Sequence, residues 1–187
     1  MISIWRIALL AGFTLLLVFL WDFPELRPLK VFVVYLHEIS HGIGALITGG
    51  EVEAIFVSWD ESGFTKTRGG NFLTMASAGY IGSILFGSVM LFSGLKDKMS
   101  RFVSIVMGMT MLFFTMAYPE KLEILIMVSG IAWGALFIIC GVILHNINRY
   151  VLFFMGGLTS LYGFYDLGDF FRGNISKPMP ELSPDII

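Results

Sequence analysis

The sequence predicts an all-α polytopic membrane protein with about six transmembrane helices and a β-hairpin after the second. Three observations carry that expectation. The 187 residues are 56% hydrophobic and only 14% charged, whereas a soluble domain carries about 25% charged residues. Several apolar runs approach or reach the roughly 20 residues that a helix needs to cross a bilayer. One polar segment between two of those runs alternates like a strand and is bounded by glycine pairs.

The first apolar run covers residues 7–21, with Arg6 before it and Trp5 and Trp21 at its ends, where interfacial aromatics sit. A signal peptide is the rival reading. The following "WDFPELRP" lacks a small-x-small cleavage site, so the run is expected to stay as a first span. The two prolines of that stretch predict a short loop. The second span covers 29–48 and stops at Gly49-Gly50, as helices stop at glycine. Residues 51–70 read as a hairpin: Ala54, Phe56 and the pair Ser58/Trp59 alternate in part, "DESG" is a turn cluster, and "FTKTR" is a return strand.

The third span, 72–95, holds no charge and is rich in Ala76, Ser77, Ala78, Gly79, Gly82, Ser83, Gly87 and Ser88, a composition that lets helices approach closely in lipid. "KDKMSR" is expected to close it. Spans at 102–118, 122–144 and 150–165 follow, and the polar, proline-rich tail 171–187 is expected to be poorly ordered. Residues 1–187 thus read as a single membrane-embedded domain in a multi-pass protein, expected in the cell membrane of a bacterium. Lys and Arg divide six and six between the two sides of a six-span arrangement, so the positive-inside rule does not orient it.

The net charge of −2 supplies no basic field for nucleic acid. The single cysteine, Cys140, excludes an intrachain disulfide and a cysteine-based zinc cluster, and reads as a small buried or lipid-facing residue.

Chemistry concentrates in the second span. His37, Glu38 and His41 form H-E-x-x-H. On a helix, residues i and i+4 share a face, so two imidazoles one turn apart can grip one metal ion, and imidazole suits zinc. Glu38 lies about 100° around the helix from His37, beside the metal position, where a general base belongs. Zinc lowers the pKa of water from about 15.7 to about 7, which makes water a usable nucleophile at neutral pH. The plain alternative is a structural hydrogen-bond cluster. Each ionisable group at bilayer depth costs a few kcal/mol, however, so a cluster there usually has a function.

A catalytic zinc has three protein ligands and one open position. His145, in "LHNINRY", reads as an interfacial residue, and Glu120 and Glu123 read as members of a solvated loop. Asp166 and Asp169 follow a long uncharged run and sit i, i+3, on one helical face. Asp166, nearer the apolar run, is the first candidate for the third ligand. Asp169 is the alternative, or a partner that orients a ligand. An acidic helix end at the membrane interface is the other reading of the pair.

Taken together, "YLHEISHGIGALITGGEV", the hairpin-like segment, "ASAGYIGSILFGS" and "SLYGFYDLGDF" resemble the site-2 protease family of intramembrane zinc metallopeptidases, in its compact M50B-like branch. The resemblance spans about Val31 to Phe170. It implies one zinc ion held by His37, His41 and an aspartate from a later span, with Glu38 as catalytic base. Family members often carry that aspartate in an L-D-G or N-P-D-G setting. Here the run is Tyr165-Asp166-Leu167-Gly168-Asp169, which leaves the choice between the aspartates open. The sequence has no PDZ-like insertion, so a substrate filter falls to the hairpin or to a partner.

The expected partner is a transmembrane protein substrate within the lipid bilayer. A helical substrate hides its carbonyls, and an unwound one needs new hydrogen-bond partners in lipid. A strand edge at Glu53–Trp59 or Phe64–Arg68 could supply them; a merely connecting hairpin is the other possibility. Asn71 could donate to a developing oxyanion or cap a helix. The rival class of function is a non-catalytic scaffold, a chaperone-like binder or a metal transporter. A transporter would spread ionisable residues over several spans, and here they gather at one motif and one late pair.

Overall fold

The computed structural model describes residues 4–21, 23–119 and 124–171. The tail from 172, Glu120 and Glu123, and the side chains of Asp166 and Asp169 lie outside what is described. Among the described residues the chain is mostly helical: α1 (Ile4–Phe19), a 3₁₀ turn (Pro24–Leu26), α2 (Arg27–Ile47), strands β1 (Glu51–Val57) and β2 (Gly63–Arg68), then α3 (Phe72–Ser93), α4 (Asp97–Ala117), α5 (Ile124–Val142) and α6 (His145–Phe171). Three helical segments are long and apolar enough to cross a membrane: Pro24–Ile47, Phe72–Ser93 and Asp97–Ala117. Shorter apolar stretches occupy Ile7–Leu16 and Met127–Val142.

α2 is the centre of the molecule. Phe32, Val33, Leu36 and Ile39 are fully buried, and α3, α5 and both strands pack on this helix. The break between α1 and α2 that the prolines of "DFPELRP" predict is present, as a short turn. Pro24 starts the 3₁₀ turn, and Pro28 lies in the first turn of α2, where a helix does not use the missing N–H. At the other end Gly50 N–H bonds Ala45 O (2.9 Å) and Gly49 N–H bonds Leu46 O (3.2 Å), with Gly49 at φ +81°. That pair of bonds is a Schellman stop, which needs a left-handed residue and so favours glycine.

β1 and β2 form a two-stranded antiparallel hairpin. The buried face differs from the alternation read in the sequence. A bulge between Val52 and Ala54 shifts the pleat, so that Val52, Ile55 and Val57 are buried together with the expected Ala54, while Phe56 is only half-buried against Phe64. The turn places Glu61 at φ +72°, and Ser62 N–H and its hydroxyl both bond Asp60 Oδ1. Glu61 pairs through both carboxylate oxygens with the buried Lys30 of α2 (3.0 and 3.1 Å), whose ammonium also lies over the Trp21 ring. The hairpin tip is thereby tied to the beginning of α2.

α3 and α6 run antiparallel at backbone contact. A Cβ added at Gly87 would meet Ser160 N at 2.5 Å and Gly156 O at 2.7 Å, so the small residues of the third run allow close approach here. α4 starts earlier than the sequence suggested. "KDKMSR" is mostly its first turn, with Asp97 favourable at the helix N-terminus and paired to Arg101 (3.2 Å) one turn on. Away from these contacts, Leu73, Leu85 and Phe92 of α3 and Phe102, Met109 and Met116 of α4 are exposed. Such a surface fits a lipid solvent rather than water.

Candidate metal centre

His37, Glu38 and His41 lie in the second half of α2, and their ligand atoms all fall within 4.8 Å of one another. The helix spacing brings the two Nε2 atoms to 3.0 Å, with the rings nearly perpendicular at 77°. His41 Nδ1 is 2.6 Å from the backbone carbonyl of Met75 on α3. A carbonyl only accepts, so Nδ1 carries the proton and Nε2 presents a lone pair. That lone pair is directed at His37 Nε2, and two nitrogens at such a distance need a proton or a cation between them. His37 is flanked by the Tyr80 ring, edge-on at 5.3 Å, with Ser83 Oγ at 3.5 Å from its Nδ1.

α3 comes up against the imidazoles at Gly79. A Cβ at Gly79 would fall 2.6 Å from His37 Nε2 and closer still to His41 Nε2. The two nitrogens therefore lie against Gly79, an approach that only a residue without a Cβ allows. Two convergent imidazoles, one of them held by a carbonyl in the metal-binding tautomer, with a carboxylate within 4.8 Å and no side chain on Gly79 to block them, together fit a divalent cation of the zinc type.

Glu38 lies alongside, 5% exposed. Its carboxylate does not rest on α2 alone. Thr65 of β2 places its hydroxyl 2.7 Å from Glu38 Oε2 and 2.9 Å from the Glu38 carbonyl oxygen. Gly63 packs so near that an added Cβ would lie 2.7 Å from Oε1. Thr65, Gly63, Gly79 and the Met75 carbonyl were not singled out for these roles from the sequence. Gly79 stood in a run of small residues without distinction, and a backbone carbonyl leaves no residue-type signal.

The remaining candidates separate by position. Asn71 caps α3, accepting from Thr74 N–H at 3.0 Å, so its side-chain oxygen is engaged in helix capping. His145 begins α6. Four residues later Arg149 bonds the Gly94 and Leu95 carbonyls at the far end of α3, roughly 20 Å along the helix from Gly79 at 1.5 Å per residue. Asp166 and Asp169 are on α6, outside the described side chains. The backbone register is informative nonetheless. Gly94 meets Arg149 and Phe153, Gly87 meets Gly156 and Ser160, and Gly163 meets Ser83 and Ile84. One further turn of these antiparallel helices brings position 166 level with Gly79 and Tyr80, and position 169 a turn beyond.

A half-buried histidine pair beside a buried carboxylate, inside a bundle with an apolar surface, is the arrangement that the H-E-x-x-H spacing predicts. The family described as Peptidase M50B-like matches residues 9–178, and the chain belongs to this compact, membrane-embedded branch of the site-2 proteases. No curated protein matches the chain, and no solved structure does.

Proposed function

We propose that the protein is an intramembrane zinc metalloprotease that hydrolyses a peptide bond in or near a transmembrane segment of another membrane protein. The observation that carries this reading is the approach of the His37 and His41 Nε2 atoms to each other, against the bare backbone of Gly79 and with Glu38 beside them. His37 and His41 would hold one zinc ion. The level of α6 position 166 with Gly79 supports Asp166 as the third ligand, with Asp169 as the alternative. When bound, zinc supplies a Lewis acid that polarises a carbonyl and acidifies water. Glu38 takes the proton from the attacking water and returns it to the leaving amine. Met75 O, through Nδ1, keeps His41 in the tautomer that binds. Burial of Glu38, with the two imidazoles half-buried beside it, limits the access of bulk water to the site.

The reading includes six spans in a single multi-pass domain over residues 1–187, with α1, α5 and α6 crossing beside the three longer apolar segments. A bacterial cell membrane is the proposed location. Substrate presentation is proposed to use β2. The Ile55 N–H of β1 donates outward to Tyr118 O at 3.0 Å, so the far side of β1 is already bonded there. Ile55 pairs with Thr65, and in an antiparallel pair whose groups turn outward on one strand they turn outward on the other. Thr65 N–H and C=O therefore face the outer edge of β2. Among the described residues no backbone group bonds to that edge, which supports addition of an unwound substrate strand there.

The test is metal and turnover on the purified chain in detergent. About one zinc per chain is expected, lost in His37→Ala/His41→Ala. Glu38→Gln is expected to keep the metal and to stop cleavage of a reporter membrane substrate. Cleavage by Glu38→Gln at the wild-type rate would end the assigned chemistry. Asp166→Asn is expected to lose zinc and Asp169→Asn to keep most of it; the reverse exchanges their roles.

A further inference from the structure

The hairpin does more than border the site, because it holds the carboxylate that the chemistry needs. Glu38 is the residue after His37 on a helix whose backbone fixes only its Cβ. Three side-chain torsions beyond that are free unless something outside α2 restrains them. β2 supplies such a restraint. Thr65 has one hydroxyl proton and two acceptors within reach, and the Glu38 carboxylate oxygen at 2.7 Å is nearer than the backbone carbonyl at 2.9 Å. A hydrogen bond to an ionised carboxylate is also the stronger of the two. Across from it Gly63 closes on Oε1, with room for hydrogen but not for a methyl group. The strand that bears both residues is itself anchored by Glu61 on Lys30 at the tip and by Thr67 Oγ1 against Met75 Sδ, 3.6 Å away, near the base.

We propose that Thr65 is the positioning residue for Glu38: its hydroxyl holds the carboxylate in the rotamer that lies beside the imidazole pair, with Gly63 as the opposite wall. The proposal rests on the peptidase reading above and deepens it. Thr65 also belongs to the β2 edge through its backbone. A peptide strand added at that edge therefore bonds the main chain of the same residue whose side chain sets the base. Seating of the substrate and placement of the base are linked through one strand position, so a hairpin displaced from α2 releases both together.

The experiment uses the full chain in detergent with its metal content measured, and compares Thr65→Val with Thr65→Ser. Valine keeps the shape and removes the hydroxyl; serine keeps the hydroxyl. Thr65→Val is expected to lower kcat about 10- to 100-fold, the usual loss when a group supporting a site residue is removed, with KM and zinc content unchanged. Thr65→Ser is expected to restore kcat to within a few-fold of wild type. Full kcat in Thr65→Val, or a Thr65→Ser variant as slow as Thr65→Val, overturns the proposal. If Thr65→Val does not fold, Thr65→Ala takes its place. A second readout is independent of turnover: Tm is measured for Thr65→Val, Glu38→Ala and the double variant. Non-additive shifts are expected because the two side chains bond each other, and additive shifts overturn the contact whatever the activity. Non-additive shifts in a chain that cleaves nothing would support the contact and remove the peptidase reading on which its catalytic meaning depends.

Discussion

α2 and α3 lie side by side, and both are long and apolar enough to cross a membrane, yet they do opposite work. In the segment Pro24–Ile47, which contains α2, 72% of the most apolar stretch is buried inside the protein; in α3 only 22% is. α2 carries the histidines, the carboxylate and a buried lysine. α3 contributes a carbonyl to orient one imidazole, a glycine to leave room, and an outer face of Leu73, Leu85 and Phe92. The difference teaches that polar groups at membrane depth are tolerated where the protein itself is the solvent. The helix around which everything packs can afford ionisable residues, and the helix that meets lipid supplies space and backbone instead.

That contrast predicts unequal responses to similar substitutions. The largest is in packing. Phe32, fully buried against Trp133 and Phe137, should cost about 3–5 kcal/mol on truncation to alanine. Phe92→Ala, at a residue 62% exposed, should leave the unfolding midpoint in detergent nearly unchanged. Equal losses at the two positions would break the comparison. Next, Gly79→Val drives a side chain against both Nε2 atoms. It is expected to weaken zinc binding by about 10- to 100-fold in a competition with a chelator, a loss of the size that follows damage to a metal site's surroundings. The same exchange at Gly12, which has open space where its Cβ would be, should leave zinc unchanged.

A smaller effect is expected at the start of α3. Asn71→Ala removes the cap on Thr74 N–H and should cost about 1 kcal/mol by thermal unfolding, with zinc affinity intact. Loss of turnover without loss of stability in Asn71→Ala would instead give Asn71 a part in the chemistry. The smallest concerns the hairpin. Glu53 bonds Lys66 at 3.0 Å and Arg68 at 2.9 Å. The Lys66 hydrogen bond first, and then the two positive charges, hold its carboxyl below the usual carboxylate range. A lowered pKa means that this stabilisation is present above the ordinary carboxylate pKa and is lost as pH falls towards the folded value. Because the pair is exposed, the effect is slight. The Tm of Glu53→Gln should approach that of wild type in acid and lie just below it at neutral pH.

Parts of this architecture were legible in the residues. Composition separates a membrane protein from a soluble one because charge is too costly to keep in lipid. Gly49-Gly50 ends α2 because a left-handed stop suits glycine, and H-E-x-x-H assembles its own half-site because the helical period alone brings residues 37 and 41 together. The buried face of β1 was not legible. One bulge residue shifts every later side chain to the other face, and an alternation pattern does not register it. The early start of α4 was hidden because a charged helical turn and a charged loop have similar compositions.

The sequence by itself therefore determined the solvent in which the chain folds, the family, and the two imidazoles with their neighbouring carboxylate. These depend on composition and on a spacing inside one helix. Tertiary structure alone decided that Met75 turns a carbonyl to His41, that Gly79 is the glycine facing both imidazoles, and that Thr65 reaches Glu38 from 27 positions away. Each of these is a contact between elements whose relative placement follows from packing the whole bundle, and local periodicity has no information about it.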